Sequence, residues 1–192
     1  MITIDRAYEA EYIINKSKFI SFAYPVFDEI ECKKYLDDFN KKFSDATHIC
    51  YAYLLDSPKV EKCSDNGEPS GTAGKPMLEL IKKRKLSNVL LVVIRYFGGI
   101  KLGAGGLVRA YTTSGNLAFE KAKVIEVKDI KKYRIIVGYE DVNKLKNLIN
   151  SQGGIVTNLV YGERAEIEFL SENIDNLREY KVENIGSEKV CK

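Results

Sequence analysis

The chain of 192 residues has a single histidine and four cysteines, and no two cysteines form a CxxC pair. A zinc site built from cysteine and histidine needs several of these residues at short, regular spacing, so the composition argues against one. A disulfide framework is equally unsupported, and reduced structural thiols are expected. The sequence predicts no metal and no bound cofactor.

Long apolar runs are also absent. The longest, from Val89 to Ile94, is far too short to cross a bilayer, which takes about 20 residues. The N-terminal segment carries acidic residues where a secretory signal needs a basic start and an uninterrupted apolar stretch. We therefore expect a cytoplasmic protein with no membrane partner.

The standard nucleotide-binding fingerprints are missing too. A Walker A loop requires the pattern GxxxxGK(S/T), but Pro69 stands five residues before Gly74, and Pro76 follows Lys75. The dinucleotide pattern GxGxxG, begun at Gly103, ends on a valine. No Ser/His/Asp or Cys/His grouping has a recognisable spacing, so the sequence predicts no catalytic residue.

Glycine, by contrast, is concentrated. Eight of the fourteen glycines fall within 67–74 and 98–106, and the second stretch lies between an apolar run and a periodic segment. This order is typical of a strand, a glycine loop and the start of a helix. Residues 75–109 also hold eight basic residues and one acidic residue, although the net charge is only +3. The combination predicts an anion-binding loop.

The residues expected to bind an anion or nucleic acid comprise cations, loop glycines and one aromatic side chain. They are Lys75, Arg95, Phe97, Gly98, Gly99, Lys101, Gly103, Gly105, Gly106 and Arg109. Lysine and arginine would contact phosphate together with backbone amides, and the aromatic ring would stack on a base. In the alternative, the glycines permit tight strand–helix packing, the other cations are solvated, and Arg95 pairs with Asp65 or Glu68.

Three further residues have polar side chains that could take part in a site. His48 lies on a predicted strand, where a lone histidine is more often a hydrogen-bonded core residue than a catalyst. Asp65 and Glu68 stand three residues apart in the first glycine loop. Capping or turn formation is favoured for them over metal binding or acid–base chemistry.

Hydrophobic periodicity predicts an α+β protein with two domains, 1–128 and 129–192. In the first, SKFISFAYPV, ATHICYAYLLD and 88–96 are predicted strands, and 58–76 is a long loop. Helices are predicted after Asp28, from Pro76 and after the second glycine loop, giving an α/β layer architecture. In the second domain the pattern βαββαβ, with a short last helix and a weak last strand, indicates a ferredoxin-like fold.

The two glycine-rich segments also carry a family resemblance. SDNGEPSGTAGKP followed by VVIRYFGGIKLGAGGLVRAY resembles the YigZ/IMPACT family, in its bacterial YigZ-like branch, and SKFI and ATHICYAY fit the same pattern. The family motif falls on His48, Asp65, Gly67 and Glu68, together with all the anion-binding candidates except Phe97.

The resemblance implies a first domain with the two-layer α/β fold called ribosomal-protein domain 2-like. It also implies a second domain similar to the last domain of elongation factor G. Both point to RNA or the ribosome as partner, and eukaryotic members resemble regulators of the starvation-kinase pathway that controls translation initiation. We therefore expect a non-enzymatic, translation-associated regulator that binds RNA or a ribosomal surface through the basic glycine-rich loop.

Two alternatives remain open at this point. One is an enzyme acting on a small phosphorylated or nucleotide-like ligand, with His48 or Glu68 as the acid–base group. The other is a protein–protein adaptor in translation control that docks a translation-related protein. The sequence predicts no oligomeric state.

Overall fold

The computed structural model describes residues 1–191, and the chain divides into two compact units, Met1–Glu126 and a second that begins at Val127. The α+β class predicted from the sequence is confirmed. The first unit contains strands β1 (Ile2–Ile4), β2 (Tyr8–Ile14), β3 (Ser17–Pro25), β4 (His48–Asp56), β5 (Lys59–Ser64) and β6 (Val89–Tyr96). Its helices are α1 (Glu29–Lys42), α2 (Gly74–Lys83) and α3 (Gly103–Lys121).

Strand β6 forms the middle of the main sheet, whose order is β2-β3-β6-β4-β5 with every neighbouring pair antiparallel. All residues from Val89 to Ile94 are fully buried. The continuous apolar run of this strand is explained by burial on both faces of the sheet. The central strand therefore gives its C-terminal end, Arg95 and Tyr96, a fixed position.

Helices cover both faces of this sheet. Helices α2 and α3 pack on the face that carries Leu91 and Val93, whereas α1 packs on the face of Val92 and Ile94. Helix α1 begins after Asp28, whose carboxylate accepts the Glu31 N–H at 2.7 Å, as the capping pattern predicts. Helix α1 thus adds a third layer to the two that the family resemblance implies.

The structure corrects the prediction for two segments of the first unit. The interpretation of 58–76 as one long loop is wrong for Lys59–Ser64, which pairs with β4 as the edge strand β5. The charged side chains of β5 suit an exposed edge strand, but they leave the segment with few of the apolar and β-branched residues from which a strand is predicted. Strand β2 is not predicted from the sequence either; it joins β3 through Asn15 and Lys16, both with positive φ.

The second unit contains the continuation of β7 (Val124–Val137), α4 (Val142–Ser151), β8 (Ile155–Tyr161), β9 (Ala165–Ser171) and β10 (Val182–Cys191). Strand β10 pairs with β7, β7 with β9, and β9 with β8, all antiparallel. This is the strand order of the predicted ferredoxin-like arrangement. The predicted second helix is only a 3₁₀ turn, Asp175–Leu177. Across residues 1–191, no helix combines the length and apolar character needed to span a bilayer.

Candidate functional site

A cleft of about 410 Å³ opens in the first unit where the two glycine loops approach the ends of β4 and β6. Its walls come from the start of β4, the first glycine loop, the end of β6 and the start of α3. The antiparallel register places His48 directly opposite Arg95. The topology therefore brings the motif residues of four segments into one depression.

A buried ion pair forms the floor of the cleft. Arg95 Nη1 lies 2.6 Å from Glu68 Oε1, and the two side chains are 5% and 2% exposed. The Tyr111 hydroxyl donates to the same carboxylate oxygen at 2.8 Å. The Arg95 guanidinium also lies against the rings of Phe19 and Phe97, 5.4 Å and 5.3 Å from their centroids. Of the two partners weighed for Arg95 from the sequence, the structure selects Glu68.

His48 stands beside this pair with one nitrogen bonded and one open. Its Nδ1 lies 2.8 Å from the Asn66 carbonyl oxygen, an acceptor, so Nδ1 carries the proton in the neutral ring. Nε2 then presents a lone pair, 3.8 Å from Glu68 Oε2. Both hydrogen bonds to Glu68 use Oε1. Glu68 and His48 therefore present two neighbouring acceptor atoms in residues that line the cleft.

Asp65 organises the first glycine loop instead of lining the cleft. Its Oδ1 accepts the N–H groups of Ala73 and Gly74 at 2.9 Å and 2.8 Å, and Oδ2 accepts that of Gly71 at 2.8 Å. Burial acts to raise the pKa of Asp65, but these three donors outweigh it and hold the pKa below its ordinary value. The carboxylate thus caps the start of α2, the use favoured for it from the sequence.

The glycines of the second loop differ in their roles. A Cβ on Gly98 would lie 2.0 Å from the Lys16 carbonyl group, and the Gly98 N–H already donates to Ser17 Oγ at 3.2 Å. Gly98 is therefore a packing glycine whose amide is occupied. Gly99 and Gly103 have φ of +85° and +68° and face open space.

The start of α3 carries outward-facing positive charge. The helix begins at Gly103 without a side-chain cap. First-turn amides of an α-helix have no intrahelical acceptor. Lys101 and Arg109 flank this turn, and both are exposed. Neither makes an ion pair with any side chain of residues 1–191. Gly105 and Gly106 lie within the same first turns of α3.

The predicted anion-binding residues do not all line one depression. Lys75 lies on α2 and lines a separate groove of about 710 Å³ between α2 and α3, with Lys83 and Arg84. Lys101, Phe97 and Gly103 line the smaller cleft. We take the smaller cleft as the candidate site because the motif side chains converge there, with the groove as a neighbouring basic surface.

Sequence reasoning missed several residues of this site. Tyr111 is not among the candidate residues named from the sequence, although a tyrosine on the apolar face of a helix signals a buried hydroxyl group that needs a partner. Cys50 Sγ lies 2.9 Å from the Asp65 carbonyl oxygen and 3.4 Å from the Tyr111 hydroxyl. Burial raises the pKa of Cys50 to about 12, so it is a thiol at neutral pH. Among the described residues, no three His, Cys, Asp or Glu side chains are grouped to hold a metal ion.

Comparisons with known proteins converge on one family. The model of the Impact N-terminal domain matches residues 15–119, which include both glycine loops and the cleft. The IMPACT family member YvyE of Bacillus subtilis is 40% identical over 167 residues, 86% of this chain and 77% of that protein. The IMPACT family member YigZ of Escherichia coli is 32% identical over 151 residues, 77% of this chain and 74% of that protein.

A solved structure described as a hypothetical protein is similar over 97% of both chains, with a TM-score of 0.69 and 25% sequence identity. The likeness therefore extends over both units and is not confined to the glycine loops. With the family model matching more than half of the residues, and two bacterial relatives above 30% identity, the chain belongs to the IMPACT family.

Proposed function

We propose that this protein is a non-enzymatic, translation-associated regulator that binds RNA or a ribosomal surface through the basic glycine-rich loop. The observation that carries the proposal is that the motif acids near the cleft are turned inward whereas two basic side chains are turned outward. Both motif acids are turned inward, Glu68 to Arg95 and Asp65 to the loop amides. Lys101 and Arg109 are turned outward.

This arrangement makes the local electrostatic potential positive. A carboxylate that is neutralised by a buried guanidinium does not cancel the potential of an exposed lysine nearby. The cations that remain at the surface, Lys75, Lys101 and Arg109, lie on the α2 and α3 side of the sheet. Such a surface attracts polyanions, and phosphate contacts supply most of the sequence-independent affinity for nucleic acid.

Two further features favour nucleic acid over a simple anion. The first-turn amides of α3 and the helix dipole offer donors to phosphate oxygens next to Lys101. Phe97, 45% exposed, lies at the same cleft and offers a ring for base stacking. A cation, free amides and an aromatic ring side by side form the combination used by proteins that bind single strands.

The setting in translation comes from the family. Eukaryotic members of the family resemble regulators of translation initiation, and the family resemblance implies a ribosomal-protein-like fold for the first domain. RNA or the ribosome is therefore the expected partner in the cytoplasm. The charged loop supplies the chemistry that such a partner requires. A translation-related protein would be a further partner on the same surface.

The test compares binding of a labelled single-stranded RNA and co-sedimentation with purified ribosomes for two double variants. Lys101→Ala/Arg109→Ala should lower RNA affinity about tenfold or more at low salt, because two cations that neutralise phosphates are removed. Lys34→Ala/Lys41→Ala removes the same charge from α1, on the opposite face of the sheet, and should bind like wild type. Equal affinity of all three proteins would overturn the proposal.

A second candidate function, acid–base catalysis on a small phosphorylated ligand, is favoured by one observation. His48 Nε2 and Glu68 Oε2 lie 3.8 Å apart in the cleft, within reach of one bound molecule. Screening nucleotides and sugar phosphates by thermal shift tests it. Strong stabilisation by one compound, abolished in His48→Ala, would support this candidate, and stabilisation by none would remove it.

A further inference from the structure

We propose that the cleft of about 410 Å³ seats one ribonucleotide, with Glu68 and His48 as the hydrogen-bond acceptors for its ribose 2′-hydroxyl group. The inference deepens the proposed function and rests on it, since the nucleotide would belong to the bound RNA. The volume lies within the range of about 300–1,000 Å³ that is usual for sites of small molecules. It suits one unstacked nucleotide and is too small for a duplex.

The floor of the cleft selects for hydroxyl groups. Glu68 is already neutralised by Arg95, and its Oε2 takes part in neither of the hydrogen bonds to the carboxylate. A phosphate oxygen placed there would face a carboxylate oxygen and be repelled. With its Nδ1 bonded to the Asn66 carbonyl oxygen, the His48 ring offers Nε2 as a second acceptor next to it. In an RNA strand the 3′-oxygen is esterified, so the one ribose donor, the 2′-hydroxyl group, lies between these two neighbouring acceptors.

Arg95 supplies an independent sign of unfilled hydrogen-bonding capacity. Its Nε is buried and has no hydrogen-bond partner, although Arg95 is 4% exposed and lines the cleft. Buried donors without acceptors are uncommon in native proteins and are unfavourable. The unpartnered donor places unused hydrogen-bonding capacity beside the floor of the cleft.

The mouth of the cleft presents positive charge and hydrogen-bond donors, whereas the floor presents acceptors. Lys101 and the amides of Gly103 and Ala104 lie at its rim, where a phosphate meets positive charge and N–H donors. The ring of Phe97 lies beside them for the base. Sugar at the floor, phosphate at the rim and base on the ring is the arrangement that reads a nucleotide through its 2′-hydroxyl group.

The experiment measures anisotropy of three labelled single strands of one mixed sequence, about 12 nucleotides long, bound to the full chain. The strands are RNA, DNA and 2′-O-methyl RNA, which keeps the sugar but removes the donor. RNA should bind about tenfold more tightly than the other two, because neither of them can donate the 2′-hydroxyl hydrogen bond to a carboxylate. Equal binding of RNA and 2′-O-methyl RNA would overturn the inference without any mutation.

Two variants distinguish recognition of the sugar from recognition of the phosphate. His48→Phe keeps a ring but removes both nitrogens, and should abolish the preference for RNA by weakening RNA binding more than DNA binding. Lys101→Ala should weaken RNA and DNA by the same factor. Circular dichroism confirms that each variant is folded. Glu68→Gln, which converts one acceptor into a donor, is a further variant and should also abolish the preference.

Further outcomes distinguish the two proposals. Equal binding of RNA and DNA, weakened in Lys101→Ala, supports the proposed function and refutes the ribonucleotide seat. Binding of a free ribonucleoside 5′-monophosphate over its 2′-deoxy form, with no binding of RNA, refutes the proposed function and assigns the seat to a free nucleotide. Selection of one base without discrimination of the sugar would assign the floor to a base edge and overturn the inference.

Discussion

Replacing Arg95 by methionine tests whether the inward pair controls this part of the fold. Methionine has a similar length but leaves the Glu68 carboxylate, 2% exposed, without its guanidinium. Removing one partner of a buried ion pair costs about 3–5 kcal/mol, since an uncompensated charge stays in a medium of low polarity. Taking the guanidinium away from the Phe19 and Phe97 rings adds about 0.5–2 kcal/mol.

A second substitution isolates the charge. In the double variant Arg95→Met/Glu68→Gln no buried charge remains, and the glutamine oxygen still accepts from Tyr111. We expect it to recover at least about 2 kcal/mol of the destabilisation, an interaction energy of the size found for residues in direct contact. The matched control is Lys18→Met, which breaks a 2.6 Å pair with Glu11 on the surface of the same sheet and should cost under about 1 kcal/mol.

Hydrogen exchange read by mass spectrometry on peptides from β6 is the appropriate assay. The chain folds in two units and has no tryptophan, so a single global unfolding curve does not isolate the first unit. Exchange of the β6 amides reports the free energy of opening around Arg95 itself. The reasoning is refuted if Arg95→Met costs no more than Lys18→Met, or if adding Glu68→Gln recovers nothing.

Three more outcomes follow from the site. By hydrogen exchange of the β6 amides, Gly98→Ala should cost about 3 kcal/mol or more, because its Cβ would meet backbone atoms. Gly99→Ala should cost only about 1 kcal/mol, since its Cβ would face open space and only the positive φ is unfavourable; equal costs would contradict this. Asp65→Asn should lower the melting temperature at neutral pH, because the lowered pKa of Asp65 means that its ionised form stabilises the fold. The difference in melting temperature from wild type should narrow as pH falls below the ordinary carboxyl pKa, where this stabilisation is lost. A difference that does not change with pH would be contrary evidence. In the native protein, iodoacetamide should modify exposed Cys63 well before Cys50, whose pKa burial raises to about 12; similar rates would show that the site opens readily.

The elements that the sequence predicts well are those with strong local signals. The apolar run of β6 requires burial on both faces, and Asp28 marks the start of α1 through its own hydrogen bond. Strand β5 lacks such a signal because Lys59–Ser64 is a charged edge whose strand character comes only from pairing with β4. Local pattern therefore predicts the centre of the sheet and misses its margin.

For the candidate site too, the sequence predicts what depends on local features and misses what depends on contacts between distant residues. Glycine clustering and excess basic charge point to the two loops that contribute to the lining of the cleft. The direction in which each charged side chain faces depends on contacts between distant residues, since Glu68 meets Arg95 across 27 positions and Tyr111 across 43. Lys75 and Lys101 belong to one motif but line different depressions, because Lys75 lies on α2 whereas Lys101 lies in the loop before α3.

The salt dependence of RNA binding tests the central claim most directly. The account predicts that the logarithm of the association constant falls linearly with the logarithm of the salt concentration. In Lys101→Ala/Arg109→Ala the slope should be shallower by about 1.4, or about 0.7 for each phosphate of a single strand that is no longer neutralised. Lys34→Ala/Lys41→Ala should keep the wild-type slope. Identical slopes in wild type and Lys101→Ala/Arg109→Ala would contradict the account, because the outward cations of the glycine loop would then contact no phosphate.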